Sequence, residues 1–275
     1  VATDYCRSIL DVGDKPVAVV ACGGRNDRAD GYPMALWREG YAVINIDTSN
    51  DDGHSIINRI IDLGLTLVCS SGIVVVFSGQ QPCGAFSVLR RKRIPGQPWK
   101  WPVLVTSTEP DGRQAMWDHP KHGVFLGIVW RMLKVVAKLF ILVDAGGGLC
   151  WDENPPSFGS GASYIEGCEE HSSVFETTLF GGIIDATGAV LIQGDQCSEA
   201  GEQHGVSKRT GILVNGSHAA SCQRFGAFCP HPKGTHKAAR GTDEMGNYVT
   251  RPLQVFSKGT NRSLVVTITM IVNAD

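Results

Sequence analysis

The chain has 275 residues, of which 43% are hydrophobic and 19% charged, and a formal net charge of −2. That balance supports a large buried core in one or two domains and excludes disordered, fibrous and strongly basic nucleic-acid-binding classes. Nine cysteines without a CxxC pair leave disulfides open, with at least one thiol unpaired within the chain.

In chain order, the first strong signal is Lys15-PVAVVA-Cys22, a β-branched run bounded by Gly23-Gly24 and apolar on both alternating faces, as a buried parallel strand is. The segment RNDRADGYPMALWREG follows as a polar loop and a helix ending at Gly40, and YAVINID is a second buried strand closing on Asp47. This βαβ unit admits a dinucleotide site, with the glycines at a pyrophosphate and Asp47 at a ribose, but no G-x-G-x-x-G is present. The alternative is that backbone N–H groups at Gly23 and Gly24 face an oxyanion. A helix over 54–63 leads to GIVVVFSGQQPCGAFSVLRRKR, a short apolar strand, a sharp turn and a helix, which is the shape of a nucleophile elbow. The basic run Arg90-Arg91-Lys92-Arg93 reads as a solvated helix end, so no nucleic-acid partner is expected.

Further apolar runs predict strands at 103–106 and 139–143, the second at the end of a helical stretch, and WDENPPSFGSG has the Pro/Gly content of a lid loop within 145–180. A helix then precedes strands at 189–193 and 212–214, which flank an acidic loop carrying Asp195 and Glu199. His218 follows in a Gly-Ser-His-Ala turn, where it serves as an acid–base group or as a plain surface histidine. The last fifty residues are turn-rich, and the run over 264–272 predicts a final strand. Cys222, Cys229, His231 and His236 are of types that suit zinc, but their C-x6-C-x-H-x4-H spacing matches no common finger, so neither metal nor cofactor is expected.

In this order, the stretches VVACGGRND, WREGYAVINID, VVVFSGQQPCGA, LIQGDQCSEA and NGSHAAS resemble the oxyanion loop, following strand, elbow, acid loop and histidine loop of the α/β-hydrolases. The resemblance covers residues 15 to 222. It departs from the family at three places, with Gln81 at the nucleophile position, Cys197 at the usual carboxylate and Cys22 at the oxyanion histidine. A caspase-like arrangement of strands fits less well, because its catalytic positions would fall on Gln80-Gln81 and Gly146.

The resemblance implies a three-layer α/β sandwich with a mostly parallel central sheet over 1–223, and a β-rich extension over 224–275 packed on the same domain. It implies hydrolysis of carboxylic esters or related acyl compounds, with Ser78 or Cys83 as nucleophile, His218 as base, Asp195 or Glu199 orienting it, and Gly23, Gly24 and Gln81 lining the oxyanion and binding site. The partner is then a small acyl substrate. The other reading is a catalytically silent protein of the same fold that binds a ligand or a partner. No apolar run approaches the ~18 residues of a membrane span. Sequons at Asn215 and Asn261 favour secretion over the cytoplasm, although VATDYCRS carries no signal-peptide pattern.

Overall fold

A computed structural model describes residues 6–8, 10–50, 55–80, 111, 114–143, 148–152, 174–195, 209–232, 235–236 and 258–273. At its centre is β1 (Val17–Ala21), every residue of which is buried. Alternate side chains of β1 feed opposite faces of the sheet: Val17, Val19 and Ala21 enter one apolar cluster, Ala18 and Val20 the other. Parallel partners flank it, β2 (Ala42–Ile46) on one side and β3 (Val74–Gln80) on the other. Strand β4 (Gly148–Asp152) extends the parallel set from β3, and β5 (Val190–Asp195) and β6 (Arg209–Val214) complete the order β2-β1-β3-β4-β6-β5. Strand β6 runs antiparallel to both β4 and β5. The described sheet is therefore mixed, with a parallel part from β2 to β4.

The crossover from β1 to β2 and the return from β2 past β1 to β3 run in opposite directions along the sheet, which places helices on both faces. Helix α1 (Tyr32–Arg38) joins β1 to β2 and buries Tyr32 and Leu36 on the Val20 face, whereas α2 (Arg59–Ser70) joins β2 to β3 and buries Leu65 and Cys69 on the Val19 face. Asn58 caps α2 by accepting from the Ile60 N–H at 2.9 Å. After the short helix α3 (Gln114–Trp117) comes α4 (Pro120–Leu142), with Pro120 pre-set for a first turn. Its buried residues Leu126, Val129, Trp130, Leu133, Val136, Ala137 and Phe140 recur at helical spacing and lie on the Val19 face with α2. Lys138 pairs with Asp62 across these two helices, and since both side chains are about a third exposed the pair adds ~1 kcal/mol at most. Helix α5 (Thr178–Thr187), capped by Thr177 and stopped by Gly188 at φ 62°, completes that layer.

Two expected strands are helical. Residues 139–142 continue α4, because Leu139 and Phe140 extend its buried stripe; the strand beside β3 lies later, at 148–152, where only a loop was expected. Beyond the short helix α6 (Ala219–Cys222), the run over 264–272 belongs to α7 (Lys258–Val272), whose buried Leu264, Val265, Ile268 and Ile271 are spaced for a helix face and pack with Tyr32 and Leu36 of α1. Its β-branched residues favour a strand by propensity, and the amphipathic stripe overrides that preference. The C-terminal segment is thus helical over these residues, in place of the β-rich extension expected. The strand at 103–106 falls outside the described residues. No helix among the described residues is long and apolar enough to cross a membrane.

Candidate functional site

The antiparallel course of β6 separates the residues expected to form a dyad. Val214 pairs with Val190 and with Leu149, at the starts of β5 and β4, so the turn that follows it emerges at the amino edge of the parallel part. His218 ends that turn, a single 3-10 turn (Gly216–His218) capped by Asn215, whose Oδ1 accepts from the Ser217 N–H at 3.0 Å. Asp195 ends β5 opposite Arg209, at the other edge. Five residue steps of roughly 3.3 Å place the two ends about 17 Å apart along the ladder. Asp195 and His218, expected to meet at one edge, therefore lie at opposite edges. Asp195 instead accepts from the Cys229 N–H at 2.9 Å. The His218 Nε2 is buried with no hydrogen-bond partner.

Ser78 lies within β3, level with Val20 of β1 and fully buried. Its hydroxyl shares a 2.7 Å hydrogen bond with the Tyr32 hydroxyl. Burial raises the Tyr32 pKa well above the ordinary phenol value against the opposing effect of the Ser78 bond, so the pair is a neutral link between β3 and α1. Ser78→Ala should cost about 0.5–1.5 kcal/mol in urea unfolding through loss of the bond to Tyr32, and the loss in the Ser78→Ala/Tyr32→Phe double variant should be smaller than the sum of the two single losses. Additive losses in the double variant would contradict a direct pair. Cys83, Gln81 and Glu199 lie outside the described residues.

Gly23 and Gly24 stand at the carboxyl end of β1, between β2 and β3. Gly24 has φ 82° and Cys22 φ 60°, both left-handed. A Cβ at Gly23 would collide with Val20 Cγ1 and lie 2.6 Å from the Asn45 Oδ1, so any other residue here forces those side chains to move. A network from the end of β2 fixes the loop. Asp47 accepts from the Gly24 N–H at 2.9 Å and the Ser49 N–H at 2.8 Å, Asn45 donates to the Gly24 carbonyl at 2.8 Å, and Asn50 accepts from the Asn26 N–H at 2.6 Å. The Gly24 N–H expected to hold an oxyanion is thus committed to a carboxylate, whose charge opposes an anion there. Burial, with the Asp47 charge adding to it, pushes the Cys22 thiol up to about 12, so it stays protonated at neutral pH. Asn45 and Asn50 escaped the reading of the chain. The signal for Asn45 was its period of two with Asp47, which sets both on one face of β2.

A third cluster adjoins the end of β5. The Cys229 Sγ lies 3.3 Å from the His231 Nδ1 and 3.2 Å from the His236 Nε2, and the two ring nitrogens are 3.1 Å apart. These donors are of the types that hold a transition metal. Cys222, the fourth residue of the suspected set, is instead buried in the apolar cluster with Phe225 and Leu264, where burial pushes its thiol up to about 11. Cys6, Cys22, Cys69, Cys222 and Cys229 are all free thiols, so no disulfide forms among the described residues.

What the fold and these loops define is a mixed α/β domain with a topological switch point between β1 and β3. Comparison with protein-family models, curated proteins and solved structures finds no match.

Proposed function

We propose that the protein is a noncatalytic binding module that takes a ribonucleoside-containing small molecule at the carboxyl end of β1 and β2. The observation that carries this reading is the position of Asp47, directly after β2 and bonded to the Gly24 N–H that follows β1. In open α/β sheets ligands bind outside the carboxyl ends of the strands where crossovers diverge, and an acidic residue after the second strand accepts ribose hydroxyls. A carboxylate offers about four acceptor sites. Two backbone donors use two of those of Asp47, leaving the remainder for a vicinal diol.

The same loop argues against a dinucleotide. Helix α1 starts eight residues after Gly24 and carries Pro33 in its first turn, so no helix N-terminus follows the glycines to cradle a pyrophosphate. The hydrolase reading has less support, since Asp195 and His218 end at opposite edges, Ser78 bonds to Tyr32, and the Gly24 N–H is already taken.

Calorimetry with adenosine, ATP, NAD and S-adenosylmethionine tests the proposal. At least one should bind, with its 2′-deoxy counterpart weaker. Asp47→Asn, which keeps one acceptor for the loop, should weaken binding about 10- to 100-fold, as loss of a charged hydrogen-bond partner does. Binding by none of the four, or equal binding by Asp47→Asn, would overturn it. So would turnover of a short p-nitrophenyl ester that drops about 100-fold in His218→Ala, the outcome a hydrolase requires.

A further inference from the structure

We infer that Cys229, His231 and His236 form a binding site for one Zn2+ ion, which fastens the segment 227–236 to the carboxyl end of β5. The three donor atoms form a nearly equilateral triangle with sides of 3.3, 3.2 and 3.1 Å. A tetrahedral zinc with Zn–S near 2.3 Å and Zn–N of 2.0–2.1 Å would hold sulfur and nitrogen about 3.5 Å apart and its two nitrogens about 3.3 Å apart. The triangle is within a few tenths of an ångström of that figure. A point about 2 Å from all three atoms lies roughly 1 Å out of their plane, which leaves a fourth position on the open side.

Hydrogen bonding explains the triangle less well. Each proton can align with only one of two neighbours some 60° apart, and hydrogen bonds weaken steeply away from linearity. A single cation accepts all three lone pairs at once. The two imidazoles stand at 85° to each other with centroids 4.8 Å apart, so they do not stack, and one ring nitrogen of each lies within 3.3 Å of the thiol sulfur. A thiolate with two imidazoles is a borderline donor set that suits zinc and disfavours magnesium or calcium.

The local chain is built to hold the donors. The Asp195 N–H donates to the Ala227 carbonyl at 3.0 Å, and the Asp195 carboxylate accepts from the N–H of Cys229 itself, as an outer-sphere group does for a ligand. Pro230 and Pro232 flank His231 and restrict its backbone, and the Thr235 N–H closes a turn on the Pro232 carbonyl at 3.1 Å that returns His236 to the cluster. The site lies beside β5 and is independent of the Asp47 loop.

The test uses the full chain, prepared with zinc in the growth medium and dialysed against metal-free buffer. Elemental analysis should give close to one zinc per chain, and chelation should lower Tm by several degrees. Replacement by Co2+ should produce a thiolate-to-cobalt charge-transfer band. Cys229→Ser should lose that band, and His231→Ala and His236→Ala should reduce bound zinc at least tenfold. His236→Cys, which restores a donor, should retain zinc, as should His218→Ala, which lies outside the cluster. Wild-type protein that is folded by circular dichroism yet binds neither zinc nor cobalt at equimolar metal would overturn the inference. Equal zinc content in the folded alanine variants would do the same.

Discussion

Phe77→Ala should lower the free energy of unfolding by about 3–5 kcal/mol, the range for truncating a large aromatic side chain in a core that relaxes only partly. Phe77 is fully buried in β3, paired with Val19 of β1 on one side and Gly148 of β4 on the other. Directly opposite residues in neighbouring strands present their side chains to the same face. Gly148 has none, so the residue directly beside Phe77 in β4 brings no side chain to fill the space the ring vacates. On that face the ring joins the cluster containing Leu126, Leu133 and Phe140 of α4, a helix held on both sides by α2 and α5 and poorly placed to sink inward. The cavity should therefore persist. The measurement is a urea titration in which the midpoint falls and the slope does not change. Ile60→Ala is the control, because Ile60 is 81% exposed and should change stability by no more than about 0.5 kcal/mol. A loss below 1 kcal/mol for Phe77→Ala would mean that the sheet and α4 are not packed as described.

The strands that were legible in the chain are those that carry β-branched apolar runs. β1, β2, β3, β5 and β6 all lie within a few residues of such runs, and the run is most complete in β1, which is buried on both faces. The direction of β6 was not legible. A doubly buried strand reads the same in either sense, and direction is set by the connection. Thirteen residues separate Asp195 from Arg209, close to the dozen or more that a parallel crossover needs, so length could not decide either. That one ambiguity misplaced His218, since reversing a strand moves its following turn to the opposite edge of the sheet.

Strand β4 and helix α7 were misread for a different reason. GLCWD is too short and too glycine-flanked to stand out against the longer apolar run at the end of α4, and the branched residues of α7 have strand propensity but helical spacing. The metal-type cluster was half legible. The residue types are visible in the chain, but sequence proximity does not separate Cys222 from the other three, and only its place among Phe225 and Leu264 removes it. Asp47 was legible as the acidic end of β2. Its bond to Gly24 was not, because that depends on the two loops meeting in space.

Gly194→Ala should cost about 3 kcal/mol and release the segment that carries Cys229, His231 and His236. Gly194 lies in β5, where its missing side chain admits a close approach by the chain after β6: an added Cβ would run into the Phe225 carbonyl oxygen and stand 2.9 Å from the Ala227 carbonyl oxygen. Neither atom is the movable end of a side chain. Ala227 accepts from the Asp195 N–H, Phe225 is buried against Ile192 and Ile212, and the 3-10 turn Gln223–Gly226 fixes the backbone between them. Relief must come from shifting the turn off β5, which puts overpacking at the upper end of its usual cost of about 1–3 kcal/mol. Because Asp195 is the next residue and bonds to both Ala227 and Cys229, the shift should break that pair of hydrogen bonds before it disturbs β1. Hydrogen exchange should accordingly show the Asp195 and Cys229 amides losing protection while Val19 and Val20 keep theirs. Gly182→Ala makes the matched comparison, since a Cβ there meets nothing within 4 Å in α5 and should stabilise the helix by about 0.5–1 kcal/mol. If Gly194→Ala unfolds at the wild-type midpoint with Cys229 still protected, the turn does not rest on β5 and the anchoring of the metal-type cluster to the sheet is wrong.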